Sequence, residues 1–192
     1  MRRLRALPDL ATTYAEPHDH RRYGHGHHLR VEQTTAVAKW LYEWKGCGSV
    51  ADLSCGNGHI ATAAATSGGR VYLGDYAPGY EFQGPIEQTH AELWEATQYR
   101  GVDLFICCET LEHLDDPGLV LRQLWNISDY LVLSTPIENW DDANGEHLWA
   151  WSKRGVETLF TKAGWQELHY TESDTRPIDG VYQYGIWALE AA

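Results

Sequence analysis

The stretch Val50-Ala51-Asp52-Leu53-Ser54-Cys55-Gly56-Asn57-Gly58-His59-Ile60 decides how the chain is read. Its apolar opening predicts a strand, its small residues a tight turn, and the Ala-rich run after Ile60 a helix. Gly56 and Gly58 lack a Cβ, so a ligand can approach the backbone closely there. Two readings of such a turn compete. A dinucleotide fold requires G-x-G-x-x-G, with the pyrophosphate on the helix N-terminus. Only G-x-G is present, and Asp52 at the strand end would repel a pyrophosphate. Asp52 suits instead the ammonium of an amino-acid ligand, met directly or through water. A second acid, Asp75, follows Val71-Tyr72-Leu73-Gly74, where an acid at the end of a second strand grips ribose hydroxyls.

Outward from this turn, short apolar runs predict strands over residues 49–53, 70–74, 102–108 and 129–134, with a further strand near Ile86. Helices are predicted over 29–45, 58–67, 116–127 and 152–163, the last two capped by Asp116 with Pro117 and by Ser152. In the first helix Val31, Ala36, Val37, Trp40, Leu41 and Trp44 recur at helical spacing and should face the domain. Alternating strands and helices imply a parallel sheet. Segments 165–170 and 181–190, joined by a loop with Pro177 and Gly180, suggest a final antiparallel pair.

A chain of 192 residues, 43% hydrophobic with nine Trp and eleven Tyr, fits one folded domain and excludes a disordered composition. The net charge of −12 argues against a phosphate-binding track. Residues 1–45 carry +3 and the remainder −15, so the body is acidic and the front mildly basic. Cys47, Cys55, Cys107 and Cys108 form no C-x-x-C pair, which disfavours a disulfide or zinc-ribbon framework and suits a reducing cytoplasm. No apolar run approaches the ~20 residues of a membrane span, and Arg2, Arg3 and Arg5 are followed by no signal-peptide core, so a soluble, unexported chain without a membrane partner is expected. Residues 1–28, with Pro8, Pro17 and the cluster His18, His20, His25, His27 and His28, read as a flexible N-terminal arm or lid; Tyr14 and Tyr23 are placed to cover a pocket. Residues 29–192 read as the single domain.

Taken in order, Asp52-Leu-Ser-Cys-Gly-Asn-Gly58, Leu73-Gly-Asp-Tyr76 and Asp103-Leu-Phe-Ile-Cys-Cys-Glu-Thr-Leu-Glu-His-Leu-Asp-Asp-Pro117 resemble the class I S-adenosylmethionine-dependent methyltransferases, over roughly residues 49–166. The resemblance implies an α/β, Rossmann-like fold with a seven-stranded, mostly parallel sheet and a C-terminal antiparallel strand. It implies S-adenosylmethionine as cofactor, with Asp52, Ser54, Gly56, Asn57 and Gly58 around its methionyl part. Asp75 would then meet the ribose, Tyr76 would pack on adenine, and Cys108 would lie beside the site. The chain departs from the pattern in two places. Ser54 replaces the family's first loop glycine, and few residues separate Asp75 from the strand near Ile86, so the usual intervening helix is short or absent. Glu87 or Gln88 would meet the adenine edge, or either is solvated surface.

Glu109, Glu112 and His113 follow the strand over 102–108; a turn or helix beginning there would bring the i, i+3 and i+4 side chains to one face. His147, in Asn144-Gly-Glu-His147-Leu-Trp-Ala-Trp-Ser152, lies on the next strand's exit, at the same carboxyl edge. Two carboxylates and two imidazoles suit a divalent ion such as Mg²⁺, Mn²⁺ or Zn²⁺. The set is similar to that of metal-dependent small-RNA 2′-O-methyltransferases and of ubiquinone-pathway O-methyltransferases. That likeness implies a metal that binds adjacent substrate hydroxyls and favours the alkoxide. The other reading of the motif has no metal, the segment merely shaping the strand exit, with His113 as first candidate for a general base. The expected reaction is O-methylation of a small-molecule acceptor. RNA ribose 2′-O-methylation is the second reading, and a non-catalytic cofactor-binding or partner module the third. Trp140, Trp149 and Trp151 read as packing in preference to a stacking platform. Asp115, Asp116, Asp141 and Asp142 read as solvated loop charges and caps.

Overall fold

A computed structural model describes residues 1–15, 24–65, 68–77, 87–88, 101–178 and 180–192, with 87–88 as backbone. His18, His20, Tyr23 and Ile86, singled out above, lie outside the described residues, as do the side chains of Glu87 and Gln88. Nine strands occur in the described chain: β1 Arg2–Arg3, β2 Ser49–Asp52, β3 Arg70–Leu73, β4 Glu87–Gln88, β5 Val102–Cys108, β6 Ser128–Ile137, β7 Trp149–Ala150, β8 Trp165–Asp174 and β9 Gln183–Ala191. The helices are α1 Leu10–Thr13, α2 His25–Lys45, α3 His59–Ala64, α4 Pro117–Trp125 and α5 Lys153–Lys162.

Seven strands form one sheet in the order β4-β3-β2-β5-β6-β9-β8. The pairs from β4 through β6 are parallel, and β9 runs antiparallel to both β6 and β8. This is the architecture expected from the alternating runs. Strand β6 extends to Ile137, beyond the predicted residue 134, because β9 pairs with it from Tyr130 to Ile137. Pro136 is tolerated there because β5 has already ended opposite Ser134. A separate two-stranded pairing of β1 with β7, unforeseen in the sequence, lays the first residues across the exit of β6.

The sheet is covered on both faces. One core cluster gathers Phe105, Cys107, Leu121, Leu133, Phe160 and Trp187; the other gathers Leu41, Ala61, Ile106, Cys108, Val132 and Ile186. Cys107 and Cys108 thus face opposite layers, as adjacent strand residues must. Helix α2 begins at His25, four residues before the predicted start and inside the segment read as an arm. It buries Arg30, Thr34, Val37, Ala38, Leu41 and Tyr42. This is a correction: Ala36, Trp40 and Trp44 of the predicted apolar face are exposed. Small Thr34 and Ala38 allow the helix to lie close to the sheet, with the Thr34 hydroxyl satisfied by Arg30 O at 2.9 Å. The two indoles stack on each other outside, centroids 5.0 Å apart. Among the described residues, no helix is long and apolar enough to cross a membrane.

Candidate active site

All parallel strands present their carboxyl ends to one edge, and β2 and β5 are neighbours there. The exit of β2 is a bracket made by two carboxylates. Asp52, 4% exposed, accepts from Ser54 N–H at 3.1 Å through Oδ1. Asp75 accepts from Gly56 N–H at 2.8 Å and from Ala77 N–H at 3.0 Å. The loop crosses between them with Gly56 at φ 53° and Gly58 at φ 73°, left-handed conformations that favour glycine. Asn57 Oδ1 accepts from His59 N–H at 3.1 Å, an Asx turn just before α3. Ser54, which replaces the expected glycine, uses its hydroxyl to contact Thr110 Oγ1 at 2.7 Å and so ties the exit of β2 to that of β5. Burial raises Asp52 to about 8, against the lowering effect of its Ser54 hydrogen bonds. It is thus primed to release its proton to solvent when a cation binds beside it.

On the other side of that link, residues 111–113 form a single 3-10 turn. Glu112, 1% exposed, accepts from Thr135 Oγ1 at 2.9 Å through Oε2, while its Oε1 is buried without a hydrogen-bond partner. His113 Nε2 lies 4.0 Å from that oxygen. His147 stands edge-on to His113, centroids 4.8 Å apart. Its Nδ1 is 2.7 Å from Asp142 Oδ2 and its Nε2 is 3.1 Å from Asn144 Nδ2. One ligand-type atom from each of Glu112, His113 and His147 falls within 4.8 Å of the others. Burial, reinforced by the charge of Glu109, holds the Glu112 carboxyl well above the carboxylate range.

Glu109 falls outside this group, so three of the four predicted ligands come together among the described residues. It has φ 54° and precedes a 3-10 turn, so the i, i+3, i+4 face of an α-helix never forms there. Its Oε1 accepts from Ser134 Oγ at 2.9 Å and lies 3.9 Å from Arg30 Nη1. Cys108 is buried in the core behind the loop, its thiol 3.9 Å from Val132 O and pushed up in pKa by burial.

The N-terminal segment closes over both halves. Besides the β1–β7 pairing, Leu4 N–H donates to Leu148 O at 2.7 Å and Arg5 Nη2 to Asp142 O at 2.6 Å. Tyr14 then reaches the middle of the site: its hydroxyl is 3.0 Å from His113 Nδ1, and its ring sits edge-on to Tyr76 at 6.0 Å. Tyr76 is 38% exposed beside Asp75.

Several residues here escaped the sequence reading. Asp142, read as a solvated loop charge, is buried and holds His147; burial would raise its pKa, but hydrogen bonds from Asn144, His147 and Tyr182 outweigh this and lower it. Arg30, Thr135 and Tyr182 carried no motif and Thr110, though inside the quoted 103–117 motif, was assigned no role; only the fold brings them in. Of the remaining acids, Asp115 pairs with Arg3 and Asp116 caps α4. Trp151 is buried with its indole N–H on Pro136 O at 2.9 Å, and Trp149 donates to Leu114 O at 2.8 Å, so both pack as expected.

No family model and no curated protein matches the chain. Solved structures do, and they show the fold to be the Rossmann-like one of S-adenosylmethionine-dependent methyltransferases. The 1,6-didemethyltoxoflavin-N1-methyltransferase of Burkholderia thailandensis, with bound 1,6-didemethyltoxoflavin and S-adenosylhomocysteine, is similar at TM-score 0.68 and 15% identity, over 96% of this chain and 86% of that one. Magnesium protoporphyrin IX methyltransferase of Synechocystis PCC 6803, with bound S-adenosylhomocysteine, is similar at TM-score 0.67 and 16% identity, over 85% and 84%. The small RNA methyltransferase HEN1 is similar at TM-score 0.66 and 12% identity, over 83% of this chain but 25% of that chain.

Proposed function

We propose that the chain is an S-adenosylmethionine-dependent methyltransferase of the cytoplasm that methylates an oxygen of a small-molecule acceptor. The observation that carries this reading is the junction at one sheet edge: the Asp52–Asp75 bracket is tied through Ser54 and Thr110 to the Glu112–His113–His147 cluster. The left-handed glycines and two acids suit the methionyl and ribose parts of the cofactor, and Tyr76 offers a flat face for its base. When bound, S-adenosylmethionine supplies a sulfonium methyl that an oxygen lone pair takes in line, leaving a neutral thioether. The chain's task is alignment and proton removal. Asp52 holds the ammonium, Asp75 the ribose hydroxyls, and His113 or His147 accepts the acceptor's proton at Nε2.

The buried, unpartnered Glu112 Oε1 and the two adjacent imidazoles fit a divalent ion, and the Asp142 contact is the outer carboxylate such histidines use. An ion on these three residues would lower a hydroxyl pKa and so help to form the alkoxide. RNA ribose methylation is the second reading, favoured by the fold likeness to the small RNA methyltransferase and opposed by the net charge of −12. It requires methyl transfer to RNA and a salt-sensitive complex. The deciding experiment is calorimetric titration of S-adenosylmethionine, first with EDTA and then with Mn²⁺. S-adenosylhomocysteine formation is then measured over hydroxylated acceptors, catechols included, and over RNA. Cofactor binding with turnover on a small hydroxylated acceptor is expected. Binding without turnover on any acceptor would reject the enzymatic reading in favour of a binding module, and absence of binding would reject both.

A further inference from the structure

His147 is 5% exposed, and both of its ring nitrogens are engaged. Asp142 Oδ2 lies 2.7 Å from Nδ1. A carboxylate can only accept, so Nδ1 carries the ring's hydrogen. The carboxylate is itself held: its Oδ1 accepts from Asn144 N–H at 2.8 Å and from the Tyr182 hydroxyl at 3.0 Å. In the neutral ring Nε2 is then a lone pair, and the Asn144 side chain covers it, with Nδ2 at 3.1 Å. The orientation of that amide is fixed independently. Its Oδ1 accepts from Glu146 N–H at 3.0 Å, which leaves the NH₂ group for the ring. Two separate contacts thus agree on one tautomer.

A histidine bonded at both nitrogens is ordinarily a finished structural element. Three observations set this one apart. One ligand-type atom of His147 lies within 4.8 Å of its counterparts on Glu112 and His113, and Glu112 Oε1 is buried without a partner. Because Asp142 takes Nδ1, Nε2 is the ring atom left for that group. The two bonds to the ring are also unequal. A bond to a carboxylate is charge-assisted and roughly twice as strong as one between neutral groups, so a pull on the ring breaks the Asn144 side first. Finally, Asn144 is half-buried and precedes Gly145, whose Cβ position is open space, so the amide can turn away without disturbing the core.

We propose that Asn144 is a latch on His147: its amide covers Nε2, the one ring atom that Asp142 leaves able to act, until a divalent ion draws that lone pair toward Glu112 and His113. The latch spares the ligand-free chain a buried acceptor without a partner. Asp142 and Tyr182 are positioning residues that act through His147. Tyr182 comes from the β8–β9 connection, so the antiparallel end of the sheet sets the direction of a ring on the loop after β6. The latch follows from the hydrogen bonds alone. Its catalytic meaning, that an uncovered Nε2 serves at the acceptor hydroxyl, rests on the methyltransferase reading.

The test uses the full chain without cofactor and Co²⁺ as the probe. Long-range ¹⁵N–¹H NMR of histidine-labelled, metal-free protein at mildly alkaline pH, with His147→Gln for assignment, should show the hydrogen on Nδ1. Asp142→Asn should move it to Nε2. Asn144 N–H and Tyr182 would hold the amide oxygen of that variant, which turns its NH₂ group toward Nδ1. Asn144→Ser keeps the turn, because a serine hydroxyl also accepts from an amide two residues on, but it is too short to reach the ring. It should bind Co²⁺ about fivefold more tightly than wild type by calorimetry, the effect of one neutral hydrogen bond. Asn144→Ala should do the same and covers a failure of the serine variant to fold. Asp142→Asn should bind Co²⁺ at least about tenfold more weakly. A wild-type ring protonated at Nε2, Co²⁺ affinity no higher in both Asn144 variants, or absence of Co²⁺ binding throughout overturns the latch. The expected tautomers and affinities in a chain that binds no S-adenosylmethionine would keep the latch and sink the methyltransferase reading. Turnover in wild type, with Asn144 variants that bind Co²⁺ no better, would do the reverse.

Discussion

On the β2–β3 side of the site, Asp52, Gly56, Gly58 and Asp75 belong to one strand-loop-strand unit, and Asp52 and Asp75 accept there from backbone amides of that same unit. On the β5–β6 side, Tyr14, Arg30, Glu112, His113, Asp142, His147 and Tyr182 come from the N-terminal segment, α2, the 3-10 turn, the loop after β6 and the β8–β9 connection. The first region is rigid by local conformation and suits a ligand whose shape is constant. The second is assembled from side chains whose positions depend on distant packing, and it suits an acceptor that differs from one protein to another on a shared scaffold.

If that division holds, substitutions in the two regions should separate binding from turnover, and the largest effect should come from Asp75. Asp75→Ala removes two charge-assisted hydrogen bonds of the loop and the proposed ribose contact. At about 1.5–3 kcal/mol for each such bond, S-adenosylmethionine should bind at least about 100-fold more weakly by calorimetry. Glu112→Gln should leave that affinity within about twofold while S-adenosylhomocysteine formation falls by roughly 100-fold, as when a group that manages a proton is lost. Equal losses of cofactor affinity in both variants would show that the two regions are one cooperative unit.

The extent of foresight follows the same division. The β2 turn, Asp75, the sheet and its antiparallel end were legible because strand period, glycine spacing and strand-end acids are local signals. Glu112 and His113 were legible as a pair because they are adjacent. Grouping Glu109 with them failed because that inference assumed α-helical geometry, whereas the chain turns left-handed at Glu109 and then tightens into a 3-10 turn. Asp142 was indistinguishable from Asp141 beside it. What separates them is that Tyr182, forty residues on, donates to Asp142 at 3.0 Å, while Asp141 faces solvent against Arg2. The buried face of α2 was misjudged because residue hydrophobicity favoured Trp40 and Trp44, while the close approach to the sheet selected Thr34 and Ala38.

A second, intermediate effect sharpens the view of the local region. Asp52 is raised in the folded chain to about 8, so folding favours its neutral form. Its contribution to stability is complete below the ordinary Asp pKa of about 4 and is lost as pH rises through about 8. Between pH 6 and pH 9 the wild type should lose about 3 kcal/mol more stability in urea titrations than Asp52→Asn, since each of the two pK units between pH 6 and the folded pKa is worth about 1.4 kcal/mol. A ligand ammonium reverses the shift, so cofactor binding at pH 7 should release a proton in wild type and none in the variant, read from calorimetry in buffers of different ionisation enthalpy. Absence of buffer dependence in wild type would remove Asp52 from the ammonium site.

The smallest effect concerns the turns themselves. The β2 exit uses glycines for its left-handed residues, but the exits of β5 and β6 use Glu109 at φ 54° and Glu138 at φ 58°. A left-handed non-glycine residue costs about 1–2 kcal/mol, so at either position glycine relieves backbone strain. The side chains then decide the sign. Glu138 holds Trp140 Nε1 at 3.3 Å and Lys153 N–H at 3.2 Å, both exposed contacts worth little. Glu138→Gly should therefore raise stability by up to about 1 kcal/mol, or about 2–4 °C in Tm for a domain of this size. Glu109→Gly gains the same relief but removes the Ser134 partner and the carboxylate beside Arg30, a cation whose side chain is 7% exposed. An uncompensated buried charge costs about 3–5 kcal/mol, so this variant should be destabilised. Thermal melts of the two variants side by side test the contrast. A stabilised Glu109→Gly would mean that Arg30 needs no counter-charge from the β5 exit, and that Glu109 was kept in its strained conformation for the site alone.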